Sequence, residues 1–505
     1  MRLSRRTMLG LMAGGTAVGT AAVVSGCSFA GGAFDGPRDE VGQVPLTTPL
    51  AIPPLAPSEM DDDGVRTFAL TARPGSREFL PGTTTATMGY DGDYLGPTLR
   101  AKRGEQVRVR ARNELDAETT VHFHGMHLPA IMDGGPHQRI PPGGERTPTW
   151  AIRQHAATLW YHPHPHGATE GQVTAGLAGL FILDDDEEAA LDLPRDYGVD
   201  DVPVIVQDML LGDDGASRRE NGRFVGTLGN TLIVNGIYGP YLDVTTQRVR
   251  LRILNASGAR IYGFEMSDGR DLVQIASDGG LLAAPHATRQ VVLSPAERAE
   301  VIVELQPGET VVLRSEPYEF DDGPGGMIGR DDRFDVLELR AAATLTPSPA
   351  VPAALAAVEK LRVEDVTQER SMEFSGTSIN GQDMDMGRID EVVTIGATEI
   401  WNVRNDNGSL PHNVHVHDVQ FQVLTIDGAA PPPPLAGWKD TVLLLPEVEY
   451  RLIMRFTDYA DPAVPYMYHC HLLWHEDQGM MGQFVVVEPG QEPIPPTDDG
   501  AHAHH

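Results

Sequence analysis

The residues able to do chemistry in this 505-residue chain fall into four histidine-rich clusters. They are His122-Phe-His124-Gly125, Trp160-Tyr-His162-Pro-His164-Pro-His166, Pro411-His412-Asn-Val-His415-Val-His417 and His469-Cys470-His471-Leu-Leu-Trp-His475-Glu476-Asp477-Gln478-Gly479-Met480. On an extended strand, residues two apart share a face and stand about 6.6 Å from one another. Each His-x-His pair therefore presents two imidazoles in one direction. Imidazoles gathered in this way, with few carboxylates among them, suit a borderline-soft transition metal. They do not suit calcium or magnesium, which take oxygen donors.

The fourth cluster narrows the metal. Cys470, His475 and Met480 offer a thiolate, an imidazole and a weak thioether, and His412 can complete a His₂Cys set with a long axial Met. That donor set belongs to blue-copper electron-transfer sites. Zinc would accept the Cys and His, but it gains nothing from the Met and cannot change oxidation state. His469 and His471 flank Cys470, so on a strand they point to its opposite side. A metal held there is joined to the cysteine's metal through one residue of backbone. Cys27 and Cys470 are the only two cysteines. Two thiols exclude both a disulfide scaffold and a multi-cysteine zinc or iron–sulfur site.

With all four clusters present and in order, the chain resembles the multicopper oxidase family, in its three-domain bacterial laccase and cuprous-oxidase branch, across residues 60–490. The resemblance implies a mononuclear type 1 copper on His412, Cys470, His475 and Met480. It implies a type 2 copper on His122 and His415. Of two type 3 coppers, one would be held by His124, His162 and His471 and the other by His164, His417 and His469. These four copper ions would couple one-electron oxidation of a reduced substrate at the type 1 site to four-electron reduction of dioxygen to water at a trinuclear cluster. The first and third domains would clamp that cluster, and the second, without histidine clusters, reads as a spacer. Asp133, in Met132-Asp-Gly-Gly-Pro136, and Glu476, beside His475, sit where related oxidases keep acids near the oxygen-reducing cluster. Both are expected to relay protons. His166 reads as a supporting or structural residue, and His127, His137, His155 and His286 as ordinary histidines.

Cuprous-oxidase members carry a Met-rich insertion, with a Met two residues and an acid four residues before the first His of the third cluster. Here those positions hold Leu410 and Gly408, and Met372, Met384 and Met386 are spaced as strand or turn residues. This departure favours a phenol or an aromatic amine as the reductant. The alternative is a cell-surface cuprous oxidase or copper-sequestering protein that serves copper tolerance. An axial Met480 keeps the copper potential below what a Leu or Phe would give, which suits easily oxidised substrates. A copper-free relative that keeps the fold as an interaction module would have lost ligands, yet all twelve are in place. A two-domain nitrite reductase would lack the type 3 pair.

The elements that must position these residues are short strands. Residues 94–113, 238–255 and 389–405 share one shape: an extended run, a turn, then an alternating strand that ends at Asn113, Asn255 or Asn405. Val107/Val109/Ala111 and Val249/Leu251/Ile253 mark the inward faces. The Asn markers are one domain length apart, which predicts three copies of one sandwich. Each copy closes on a further strand, at 179–183, 336–339 and 484–487. The expected fold is all-β, with three tandem cupredoxin-like Greek-key sandwiches at 61–187, 195–345 and 360–490. The 54 Gly and 39 Pro fit such turn-rich architecture. The acidic run 184–188 reads as solvated surface at the first join. A Pro-rich second join leads into an Ala-rich stretch with the composition of a short helix.

Residues 1–27 read as an export leader. Ser4-Arg5-Arg6-Thr7-Met8-Leu9 resembles the twin-arginine signal, and Val24-Ser25-Gly26-Cys27 resembles a lipobox. The expected location is the outer face of the cell membrane as a lipoprotein, or the periplasm or extracellular space. Membrane contact would come only from the N-terminal lipid. Residues 28–60 read as a flexible tether and 491–505, with its terminal histidines, as a flexible tail. A net charge of −32 leaves no basic footprint for nucleic acid. The expected partners are dioxygen and a small reduced organic molecule or cuprous ion, met by a monomer.

Overall fold

The computed structural model describes residues 37–219, 224–319 and 328–496. The leader with Cys27, residues 28–36 of the expected tether and residues 497–505 of the expected tail lie outside the described residues. Among the described residues, six sheets form three cupredoxin-like sandwiches in chain order.

In the first, a four-stranded sheet runs in the order Leu99–Lys102, Gly179–Asp184, Ala157–His162, His122–His124. It faces a sheet built on Val65–Arg77 and Gln106–Asn113. Val107, Val109 and Ala111 point into the shared core with Phe68, Phe123 and Phe181, as their alternation predicts. The second core gathers Val249, Leu251 and Ile253 against Tyr262, Phe264 and Leu313. The third gathers Trp401, Val403, Val414, Leu452 and Phe484.

The repeated Asn is a repeated corner. Asn113 donates from Nδ2 to the carbonyls of Ala117 and Ile140, and its Oδ1 accepts from Leu115 N. Asn255 makes the same bonds to Arg260, Leu293 and Ser257, and Asn405 to Leu410, Leu444 and Asn407. One buried amide at the end of each strand thus satisfies the backbone of the turn that follows it.

Three expectations about connecting segments change, and one strand is buried on both faces. Residues 37–60 are no free tether: Thr48–Pro49 pairs in parallel with Pro240–Tyr241 of the second sandwich, and Ser58–Met60 pairs with the first. The Ala-rich second join is not helical. It runs extended over the second sandwich, where Leu355 packs with Leu193, Ile275 and Ile302. The acidic run is not simply solvated, because Asp184 pairs with Arg100, Asp185 caps the helix Asp186–Ala189, and Glu188 reaches Arg250. On the strand Arg248–Asn255 both faces are buried. Arg250 and Arg252, which alternate with the apolar residues, are sealed by Glu300, Asp201 and Glu188.

Candidate metal centre

Strand register places the imidazoles. In the first sandwich His122 lies opposite His162 on adjacent antiparallel strands, and in the third His415 lies opposite His469. The two sandwiches therefore present equivalent pairs of His-x-His strands to one another. His122 corresponds to His415, His124 to His417, His162 to His469 and His164 to His471. All eight are buried.

Facing across this pseudo-twofold relation, the rings form the expected groups. His162 Nε2 lies 3.4 Å from His124 Nδ1 and 3.3 Å from His471 Nε2. His469 Nε2 lies 3.2 Å from both His164 Nε2 and His417 Nε2. Each set draws on both sandwiches, and the pseudo-twofold exchanges one set for the other. His122 and His415, the register-equivalent pair, stand between the sets, stacked on His417 and His124 with ring centroids 4.0 and 3.7 Å apart.

The donor chemistry fits metal ions. His122 Nδ1 bonds the carbonyl of Asp133 at 3.0 Å and His415 Nδ1 that of Asp440 at 2.8 Å. A carbonyl only accepts, so both rings carry their proton on Nδ1 and turn a bare Nε2 inward. Those two Nε2 atoms are buried without a hydrogen-bond partner, and an unmade bond of that kind costs about 1–3 kcal/mol. A shared cation would supply the missing partner. Burial, reinforced by neighbouring imidazoles, pushes the pKa values of His124, His162, His164, His415 and His471 well below the usual value, and that of His417 down to about 3. Neutral imidazole is the form that binds metal.

The carboxylates expected to relay protons also orient these rings. Asp133 Oδ2 lies 2.6 Å from His417 Nδ1, and its Oδ1 3.3 Å from His122 Nδ1. Glu476 reaches His164 Nδ1 at 3.1 Å and His469 Nδ1 at 3.3 Å. Burial opposes the charge on each acid, but the adjoining imidazoles outweigh it and hold both carboxyls well below the usual range.

On the other side of the strand lies the second donor group. Cys470 Sγ is 3.6 Å from His412 Nδ1 and 3.5 Å from His475 Nδ1, and those nitrogens are 3.1 Å apart. Burial pushes the Cys470 thiol up to about 12 and the His475 imidazole down to about 4. Met480 is buried in the same hydrophobic core as Cys470, and its backbone closes the loop onto Cys470 and His475. Of the remaining histidines, His166 is exposed. His127 is more than ordinary: it contacts Asp418 and Asp458 of the third sandwich.

Four contributors escape the sequence pattern, although one of them, Asn413, stands beside His412 in the third cluster. Asp440 Oδ1 lies 3.0 Å from His124 Nε2 and is itself gripped by Arg298 of the second sandwich. Asn413 bonds Ser294 and Pro295 while its Oδ1 accepts from His471 N. The carbonyl of Phe224, also in the second sandwich, accepts from His475 Nε2 at 2.6 Å. Only the fold brings Asp440, Arg298 and Phe224 to the histidines and Asn413 to His471. The second sandwich is therefore more than a spacer.

Residues 71–188 and 355–490 each match the multicopper oxidase family. The chain is 34% identical over 441 residues to the multicopper oxidase mco of Staphylococcus haemolyticus, a match covering 87% of this chain and 92% of that protein. It is also 34% identical over 472 residues to the cell division protein FtsP of Escherichia coli, covering 92% and 97%. A solved laccase from Pediococcus acidilactici superposes with a TM-score of 0.80 at 35% identity, covering 88% of this chain and 96% of that one. The bacterial laccase-like multicopper oxidase CueO from Ochrobactrum sp. gives 0.79 at 36%, covering 87% and 100%.

Proposed function

The chain belongs to the multicopper oxidase family, and from that premise we propose a copper-dependent oxidoreductase of laccase type. It takes single electrons from a small phenol or aromatic amine and delivers four to dioxygen. The observation that carries this reading is the convergence of ten imidazoles and the Cys470 thiol, with the bare Nε2 atoms of His122 and His415 turned inward between the two sets. Relatives bear both oxidase and cell-division names at equal identity, so similarity alone does not choose between them. The intact donor set favours the oxidase.

His412, Cys470, His475 and Met480 would hold one copper, and the eight paired imidazoles three more. Bound copper would supply a reversible one-electron store at the first position and dioxygen reduction at the second. The chain's own part is to hold these centres in fixed relation: Cys470 lies between His469 and His471 in sequence, so the backbone links the two donor groups directly. Asp133 accepts a hydrogen bond from the outer nitrogen of His417 and Glu476 lies 3.1 Å from that of His164, and as carboxylates within reach of the cluster they would take up protons and hand them on to it. The Phe224 carbonyl holds the outer nitrogen of His475, which fixes Nδ1 toward the thiolate. Export by the twin-arginine leader and lipidation at Cys27 remain part of this proposal, with the enzyme a monomer at the cell surface.

The test is oxygen uptake by the copper-loaded protein with a phenol or with cuprous ion as reductant. Phenol-driven uptake that persists in the presence of a cuprous chelator supports the laccase reading. Uptake that needs added copper supports the cuprous-oxidase alternative. Cys470→Ser should abolish the intense visible absorption, and a variant that stays blue would refute the thiolate assignment.

A further inference from the structure

Of the eight imidazoles around the proposed trinuclear centre, seven face inward through Nε2 and one through Nδ1. His122 and His415 present bare Nε2 atoms, and His162, His164, His417, His469 and His471 make their close ring contacts through Nε2. His124 is the exception: its Nδ1 meets His162. A ring turned the opposite way needs something to hold it, because its neighbours do not.

Asp440 is that support. Its Oδ1 lies 3.0 Å from His124 Nε2, and an ionised carboxylate only accepts, so the proton sits on Nε2 and Nδ1 is left bare. Thr441 Oγ1 adds a second contact to the same nitrogen at 3.1 Å and a bond to Asp440 Oδ1 at 3.0 Å. Asp440 in turn is clamped by Arg298, whose Nη1 and Nη2 donate to Oδ1 and Oδ2 at 2.7 Å each. The other donors of this guanidinium go to the carbonyls of Thr158, Ala296 and Asp278, at 2.9, 3.1 and 3.1 Å. All five N–H groups are used, and none of these side chains reaches solvent. The single guanidinium thus ties a strand of the first sandwich, its own second sandwich and the acid of the third at the back of His124.

We propose that Arg298 is a positioning residue for the trinuclear centre: by fixing Asp440 it holds His124 in the orientation and tautomer that turn Nδ1 to the metal. The second sandwich thereby takes part in the site without supplying a ligand. A planar fork matches a carboxylate in two places at once, which a Lys ammonium cannot do. The arrangement therefore fixes Asp440 in angle as well as in distance.

This inference rests on the copper reading above, and the experiment separates the two. Parent, Arg298→Met, Arg298→Lys and Asp440→Asn proteins are loaded with copper. Each is then measured for copper per chain, for blue absorption and for the fraction of copper visible by electron paramagnetic resonance. A parent that binds no copper overturns the functional reading itself. If the parent binds it, Arg298→Met is expected to keep the blue absorption and lose about tenfold or more in affinity at the trinuclear centre. Its visible fraction should change as the coupled pair is disturbed, and Arg298→Lys should recover part of the loss. Should the Met variant not fold, Asp440→Asn carries the same expectation, since it leaves Arg298's bonds to the three carbonyls available. Unchanged copper content and spectra in the folded variants overturn the proposal. So does an equal loss at both centres that tracks a fall in Tm, because that is the signature of a purely structural role.

Discussion

Asp133 of the first sandwich places its Oδ2 2.6 Å from Nδ1 of His417 in the third, and so joins the two halves of the proposed copper cluster through a charged hydrogen bond. The bond has two separable parts. Asp133→Asn keeps an oxygen that can accept from His417 but removes the charge, whereas Asp133→Ala removes both. The Asn variant is expected to retain copper and to slow dioxygen reduction by about 100-fold or more, the usual worth of a positioned acid–base group. The Ala variant should in addition lose copper affinity about 10- to 100-fold. Copper content and the reoxidation rate of the reduced protein by stopped flow check both. An Asn variant that reoxidises at the parent rate would leave Asp133 an orienting residue only.

The histidine clusters were legible in the sequence because their geometry is local: a His-x-His strand aims two rings one way whatever surrounds it. The threefold fold was legible for a related reason, since each copy repeats its alternating strand and its corner Asn. Arg298, Asp440 and Phe224 were not, because each acts on a histidine far away in the chain and none sits in a pattern of its own. Arg250 and Arg252 show the limit of periodicity. Alternation assigns them to solvent, yet Glu300, Asp201 and Glu188 seal them between sandwiches. Likewise the acidic run 184–188 reads as surface until its cap and ion pairs are visible.

Phe224 is 61% exposed, while its carbonyl holds His475 Nε2. An aromatic reductant cannot bond to that nitrogen while the carbonyl occupies it, and the exposed ring is the neighbouring surface on which it can stack. Phe224→Ala should leave stability within about 0.5 kcal/mol. It should lower kcat/KM for a planar phenol about fivefold, the worth of roughly 1 kcal/mol of ring contact. Turnover of cuprous ion, which has no ring, should not change. Equal losses for both reductants would show that the side chain acts on His475 and not on the substrate.

Glu300 sits between Arg250 and Arg252 and also accepts from Thr158 of the first sandwich. Burial disfavours its charge, but the two guanidinium groups outweigh burial and hold the carboxyl down at about 2. A depressed carboxyl contributes stability that is present above its unfolded value of 4.5 and lost as pH falls through about 2. Glu300→Gln removes the carboxylate shared by two buried cations, leaving Arg250 to Glu188 and Arg252 to Asp201, and should cost about 3 kcal/mol near neutral pH. The gap between parent and variant should narrow across the window from 4.5 down to 2. Denaturant midpoints measured on metal-free protein at several pH values check it, and a gap that does not depend on pH would refute the ion-pair account.

Gly125 directly follows the first His-x-His and has φ +79°, and a Cβ added there would run into Asp440 Oδ2 and the Arg298 guanidinium. Gly104 offers a control. Its φ is +92°, but a Cβ there meets nothing within 4 Å. Both Gly→Ala substitutions carry the left-handed backbone penalty of about 1–2 kcal/mol. Only Gly125→Ala also displaces the pair that supports His124. Similar losses in Tm are therefore expected from the backbone term, with a further fall for Gly125→Ala. Copper content and visible spectra should stay at parent values for Gly104→Ala, while Gly125→Ala should lose trinuclear copper and keep its blue absorption. If the two variants bind copper alike, the glycine after His124 serves only the turn, and the ion pair behind it tolerates displacement.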